Sequence, residues 1–339
     1  MSAPTTARAP LLASARGACL LVLLAAACGG GGGPTAPSPP PTAAPGFTVQ
    51  AVVFYDENGN GILDAQEHVR LPNVEVDVAG QSGRSQASSG QTQVNGVPAG
   101  SYTATMRGDT LPPFYRPEAP APVTVPTAPG TVLQLGVTLP IGANLPNIYM
   151  AFGDSITAGD TVSQAQAWPT VLQGLLQREL GDGVVRNRGA SGTNSFEALE
   201  RLQRNLAGNE PAYTLIVYGT NDWNAPECQD DPHCPTVENL RTVVRRVKAF
   251  QSLPFLATLP PVNPALTPAG RNDWTSAIND QIRVVASQEG AFLVDLEKAL
   301  RAQGDLTRLF NDHVHPNPTG HQIIANTFFE AIAHGRSVP

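Results

Sequence analysis

The chain has 339 residues, 41% hydrophobic and only 14% charged, well under the ~25% charged content of an average soluble domain. Its 21 Lys and Arg against 28 Asp and Glu give a net charge of −7 with no basic run anywhere, which argues against nucleic acid as a partner. The length suits about two packed domains, and the composition excludes a coiled coil and a polytopic membrane protein.

In chain order, Arg8 and Arg16 precede an uncharged apolar run from Ala18 to Ala27 that ends at Cys28. A positive start, a short apolar stretch and small residues before a cut predict a signal peptide over residues 1–27. Leu24-Ala25-Ala26-Ala27-Cys28 resembles a bacterial lipobox, which implies lipidation of Cys28 and anchoring to a membrane. The large aliphatic residue sits one place further from the cysteine than that pattern prefers, and ordinary cleavage releasing a soluble exported protein is the alternative. Residues 29–45 hold five Gly and six Pro, a composition that buries no core and predicts a tether over 28–45.

From residue 46 to 140 the chain reads as short strands. Phe47–Tyr55, Val74–Val78, Ser101–Met106 and Val132–Leu139 carry β-branched and aromatic alternation. Gly80-Gln-Ser-Gly83 and Pro98-Ala-Gly100 read as turns between strands. Prolines 112, 113, 117, 120, 122, 126 and 129 are expected on edges and loops, because proline cannot donate to a sheet ladder. A small β-sandwich is the expected architecture.

Within this part, Asp56-Glu-Asn58-Gly-Asn60-Gly61-Ile62-Leu-Asp64-Ala-Gln-Glu67 fits a twelve-residue calcium loop. Asp56, Asn58, Asn60, Asp64 and Glu67 offer hard oxygen ligands, the Ile62 carbonyl would supply another, and Gly61 permits the sharp turn. The flanks are strands, so this is no EF-hand. Val53-Phe-Tyr-Asp-Glu-Asn-Gly-Asn-Gly61 resembles the calcium-binding B-type repeats of serine–aspartate-repeat surface adhesins, which implies an Ig-like sandwich with a structural Ca²⁺. An Asn-Gly turn without metal is the alternative.

From 147 to 335 strands alternate with helices. Ile148–Phe152, Val184–Asn187, Leu215–Tyr218, Phe255–Leu259 and Phe292–Leu296 read as strands. Helical patterns cover Trp168–Leu175, Phe196–Leu206, Val237–Phe250 and Asp273–Val285, with a last helix near Ile323–Ile332. That alternation predicts a parallel sheet covered on both faces, with chemistry in loops beyond the C-terminal strand ends. Those loops carry Gly153-Asp-Ser155, Asn187-Arg-Gly-Ala-Ser-Gly192, Gly219-Thr-Asn221-Asp222 and Asp312-His-Val-His315-Pro316. A hydroxyl, glycine amides, a carboxamide and a carboxylate–imidazole pair are the parts of acyl transfer through a covalent intermediate. Singly each is weak: a serine after a strand is commonly a helix N-cap. Cys228 and Cys234, in an exported protein, are expected to close a small disulfide loop; a metal site with His233 matches no zinc spacing.

Together the four blocks resemble the SGNH, or GDSL, hydrolase family of esterases and lipases. The resemblance implies a flavodoxin-like three-layer α/β/α domain with a five-stranded parallel sheet. It assigns Ser155 as nucleophile, His315 as base, Asp312 as its partner, and the Ser155 amide, Gly192 and Asn221 as oxyanion donors, with Gly189 a competitor for Gly192. His313, His321, Trp168 and Asp222 are read as scaffold. The expectation is an exported, lipid-anchored esterase of the cell envelope, acting on an acylated glycan or a lipid ester without a catalytic cofactor. A surface carbohydrate-binding protein with a weak hydrolase domain is the rival.

Overall fold

The first strand, β1 (Phe47–Tyr55), forms where β-branched and aromatic residues alternate, and its last five residues are all buried. The computed structural model describes residues 46–229 and 231–336. The expected signal peptide, Cys28 and the tether lie outside them. After β1 come β2 (Glu75–Val78), β3 (Gln81–Arg84), β4 (Gln91–Val97), β5 (Gly100–Met106), β6 (Arg116–Pro117), β7 (Ala121–Val125) and β8 (Val132–Thr138). They build two four-stranded sheets, ordered β4-β1-β8-β6 and β3-β2-β5-β7. Val49, Val53, Val94 and Val137 of one sheet share a core with Val76, Val78, Ala104 and Val123 of the other. Prolines 117 and 122 lie on the edge strands β6 and β7, where no outer neighbour needs their missing N–H.

One expected turn is corrected. Gln81–Arg84 is a strand, and the turn is only Ala79-Gly80, both at positive φ (54° and 75°), the twist a two-residue hairpin needs. Gly83 sits in a strand because a Cβ there would lie 2.3 Å from the Gln93 carbonyl oxygen.

The second part runs β9 (Leu145–Gly153), α1 (Ser155–Ala158), α2 (Trp168–Glu179), β10 (Val184–Gly189), α3 (Ser195–Asn209), β11 (Pro211–Val217), α4 (Thr236–Ala249), β12 (Leu253–Ala257), α5 (Arg271–Glu289), β13 (Phe292–Val294), α6 (Leu296–Arg301) and α7 (Pro318–His334). The five strands are all parallel and ordered β10-β9-β11-β12-β13, the flavodoxin-like arrangement. Successive residues of β9 go to opposite faces. Tyr149 and Ala151 join the core that holds Trp168, Leu172 and Phe328 of α2 and α7. Met150 and Phe152 join the core under α3, α4 and α5. Burial on both faces explains why these strands read as unbroken apolar runs. The last strand is shorter than expected: Asp295 accepts the Lys298 N–H and caps α6 instead of extending β13.

The two parts share one core. Tyr55 packs edge-on against Tyr115 (centroids 5.5 Å apart), Phe114 against Phe255 (5.6 Å), and Tyr149 stacks on Tyr213 at 4.3 Å. The Tyr213 hydroxyl reaches that of Tyr115 (3.3 Å), and Asn147 Nδ2 donates to Glu57 Oε1 (2.6 Å). Backbone bonds from Arg70 to Leu180 (2.8 Å) and from Ser88 to Glu179 (3.1 Å) continue the seam. No helix among the described residues is long and apolar enough to cross a membrane.

Candidate active site

Strand β9 delivers Gly153-Asp154 to the sheet edge, and the backbone turns at once into α1. Asp154 caps that helix, accepting the Ile156 N–H at 3.0 Å. Ser155 therefore opens a helix, where its own N–H stays outside the intrahelical ladder and is free to meet a developing negative charge. Gly153 permits the close approach: a Cβ there would lie 2.4 Å from the Val217 carbonyl oxygen. Asp154 itself is fully buried, and that burial pushes its carboxyl up to about 7 despite the Ile156 N–H and nearby His315.

The imidazole comes from the loop before α7. Asn317 caps that helix by accepting the Gly320 N–H (3.1 Å), with Pro318 at its first position. His315 Nε2 lies 2.9 Å from Ser155 Oγ, and Nδ1 lies 2.8 Å from Asp312 Oδ2. Asp312 Oδ1 accepts the backbone N–H groups of Val314 (2.8 Å) and His315 (2.7 Å). Burial alone would raise the Asp312 carboxyl, but the His315 backbone and ring together with Val314 hold it at about 2. An ionised Asp312 accepts from Nδ1–H, which leaves Nε2 bare to take the serine proton.

The two remaining loops bring Gly192 and Asn221. Gly192 has φ +78° with open space where a Cβ would be, and it is exposed. Its competitor Gly189 is already engaged: its N–H donates to Asn187 Oδ1 (2.9 Å), and a Cβ there would sit 2.1 Å from the Ala158 nitrogen. Asn221 follows β11 and donates from Nδ2 to the Thr193 carbonyl (2.9 Å), so one N–H ties it to the glycine loop. Asp222 holds the same loops, accepting from Ser195 N (3.0 Å) and Ser195 Oγ (2.5 Å). His321 is buried and accepts the Trp168 N–H (3.2 Å), and Trp168 stacks on Phe328 at 4.7 Å; both are packing residues. Cys228 and Cys234 form a disulfide.

Beside Asn221 lies a cavity of about 170 Å³ lined by Trp223, Val262, Arg271, His313 and Val314. Arg271 is not legible in the sequence, because a lone arginine after Ala-Gly carries no spacing signal.

The calcium-type loop folds around its own side chains. Asp56, 1% exposed, accepts the N–H groups of Gly59 and Gly61 at 2.6 Å each. Asn58 and Asn60 Nδ2 converge on Asp64 Oδ2 (2.7 and 2.9 Å), and Glu67 accepts from Glu57 N and Asp64 N. No group of three or more His, Cys, Asp or Glu arranged to hold a metal occurs among the described residues. The loop's oxygens are nonetheless all hard donors, two of them from asparagine, a set suited to Ca²⁺ and to no softer ion. Glu118, which belongs to no motif, stands beside Asp56; burial first, then Asp56, raises its carboxyl to about 7.

Residues 151–323 match the family model of the GDSL-like lipase/acylhydrolases. Over 120 residues the chain is 30% identical to the thioesterase 1/protease 1/lysophospholipase L1 of Escherichia coli K12, covering 35% of this chain. The chain thus spans about half, 54%, of that curated relative. Among solved structures, the lipase/acylhydrolase from Enterococcus faecalis is similar at 21% identity and TM-score 0.48, over 55% of this chain and 95% of its own. A mutant acetyl-xylooligosaccharide esterase from Geobacillus is similar at 22% identity and TM-score 0.48, over 58% and 98%.

Proposed function

The chain belongs to the GDSL-like lipase/acylhydrolase family of ester-hydrolysing enzymes, and from that premise we propose an exported serine esterase working through an acyl-enzyme. The observation that carries this reading is the unbroken chain of contacts Ser155 Oγ–His315–Asp312 at 2.9 and 2.8 Å. Ser155 Oγ attacks the ester carbonyl while His315 Nε2 takes its proton. The carbonyl oxygen becomes an oxyanion facing the Ser155 and Gly192 amides and Asn221 Nδ2. Collapse expels the alcohol with the proton that His315 returns. Water, activated by the same imidazole, then frees the acid and restores the serine.

The substrate is an ester of an acylated glycan or of a lipid. The 170 Å³ cavity falls below the ~300–1,000 Å³ of sites that engulf a drug-sized ligand, which favours a short branch at that point. Hydrolysis of 4-nitrophenyl esters from acetyl to palmitoyl, with Ser155→Ala alongside, tests the reading. Turnover lost in the variant and an optimum at short chains support it; activity retained by Ser155→Ala overturns it.

We also propose that the front sheets form an Ig-like sandwich. In it Ca²⁺ is held by Asp56, Asn58, Asn60, the Ile62 carbonyl, Asp64 and Glu67, with a structural and not a catalytic role. Lipidation at Cys28 would place the enzyme at the cell envelope; mass spectrometry of the membrane fraction tests it, and an unmodified soluble chain refutes it.

A further inference from the structure

Arg271 is the first residue of α5 and only 6% exposed. Its guanidinium carbon lies 4.9 Å from the ring centre of Trp223 and 5.5 Å from that of Trp274. Among the described residues a single guanidinium nitrogen donates, to the Thr220 carbonyl at 2.6 Å. Arg283, further along the same helix, shows the ordinary arrangement, with ion pairs to Asp280, Asp295 and Glu297. Arg271 forms no ion pair among the described residues. Asp222 attracts it through space without forming an ion pair, and its two carboxyl oxygens accept from Ser195. Burial weakens the hold of Arg271 on its proton, drawing it down to about 10.

A desolvated guanidinium stacked on indoles, with no acid in direct contact among the described residues, is costly unless something completes it. Arg271 lines the cavity that also includes Asn221 and Val314, the chain neighbour of His315. Guanidinium presents parallel N–H groups that match a carboxylate two-to-two, a fit that neutral hydroxyls do not repeat.

We propose that Arg271 is the specificity-determining residue of this site, binding a carboxylate carried on the branch of the ester that enters the cavity. The inference rests on the esterase reading and goes beyond it by naming the substrate class: esters with a short, terminally carboxylated acyl or alcohol branch. The indole faces of Trp223 and Trp274 hold the guanidinium in place, and the Thr220 carbonyl orients it towards the incoming anion.

Two matched pairs of esters test it. 4-Nitrophenyl butyrate against 4-nitrophenyl hydrogen succinate places the anion on the acyl side. Phenyl acetate against 4-carboxyphenyl acetate places it on the alcohol side. In one pair the wild-type kcat/KM for the anionic member should exceed that of the neutral one by roughly 10- to 100-fold, the size of hydrogen bonds to charged groups. Arg271→Gln should collapse that ratio, mainly through KM of the anionic member, and Arg271→Lys should retain part of it. A merely structural role would lower both members of a pair together and leave the ratio unchanged. Turnover of neutral esters with no anionic preference in either pair overturns this inference alone. A preference that survives Arg271→Gln does the same. Absence of serine-dependent turnover on every ester overturns the esterase reading instead.

Discussion

Asp312 and His315 are joined twice: Oδ1 of the carboxylate accepts the His315 backbone N–H at 2.7 Å, and Oδ2 accepts the ring at 2.8 Å. The three-residue spacing makes both bonds possible, because the chain doubles back just enough for one carboxylate to hold the backbone and the imidazole together. The ring is thereby fixed in tautomer and in direction before any substrate arrives.

Asp312→Asn should keep the fold and cost about 10⁴-fold in kcat, because a carboxamide favours the wrong imidazole tautomer. Its effect on stability has a definite sign. The folded carboxyl is held at about 2, below its usual 3.8, so its contribution is present above about pH 4 and is lost as pH falls through about 2. The melting-temperature advantage of wild type over the variant, followed from pH 6 to pH 2, should close at the acid end. A gap independent of pH would contradict this.

Gly189 and Gly192 should separate cleanly. Gly189→Ala drives a methyl into the backbone of α1 and should lower the melting temperature. Gly192→Ala meets open space but strains a left-handed backbone beside the oxyanion, so it should lower kcat more than stability. Asn221→Ala should cost about 10²–10³-fold in kcat. Kinetics and thermal melts on the three variants decide the assignment; equal loss of activity and stability in all three would undo it.

Asp154 predicts the opposite pH trend from Asp312. Its carboxyl is raised from 3.8 to about 7, so its contribution is fully present below about pH 4 and is lost as pH rises through about 7. One of its oxygens, Oδ2, has no hydrogen-bond partner among the described residues. Asp154→Asn should therefore gain melting temperature relative to wild type between pH 5 and pH 8. A gain that is flat with pH would show that the folded carboxyl is ionised over the whole range, with its pKa not raised.

Calcium should raise the melting temperature of the whole chain, and EDTA should reverse the gain. At a hundredfold excess over Kd the linkage is ~2.7 kcal/mol, several degrees for a protein of this size. Asp56→Ala should abolish the response. A melt that ignores calcium would mean that the hydrogen bonds of Asp56, Asp64 and Glu67 alone hold the loop.

The loops of the candidate site were legible because four of them in the right order follow strand ends, and parallel topology brings strand ends together. Arg271 and Glu118 were not, since their meaning comes from what surrounds them in space. Strand β4 was hidden for another reason. Of Gln91–Val97 only Thr92, Val94 and Val97 are buried, and the alternation slips at Asn95-Gly96, where the pairing with β1 jumps from Val49 to Phe47. A bulge of that kind breaks the period on which a strand is recognised. The aromatic seam was equally invisible, because Tyr55, Tyr115, Tyr149, Tyr213 and Phe255 are scattered over two hundred positions and meet only when both sheets are formed.

That seam ties β1 to the five-stranded sheet. The strand begins at Phe47, beside the point where the N-terminal chain enters, and ends at Tyr55 against Tyr115, whose hydroxyl meets that of Tyr213 on β11 next to the strand that carries Ser155. The position of the strand end before Ser155 relative to β1 is thus set, in this structure, by the packing of four tyrosines.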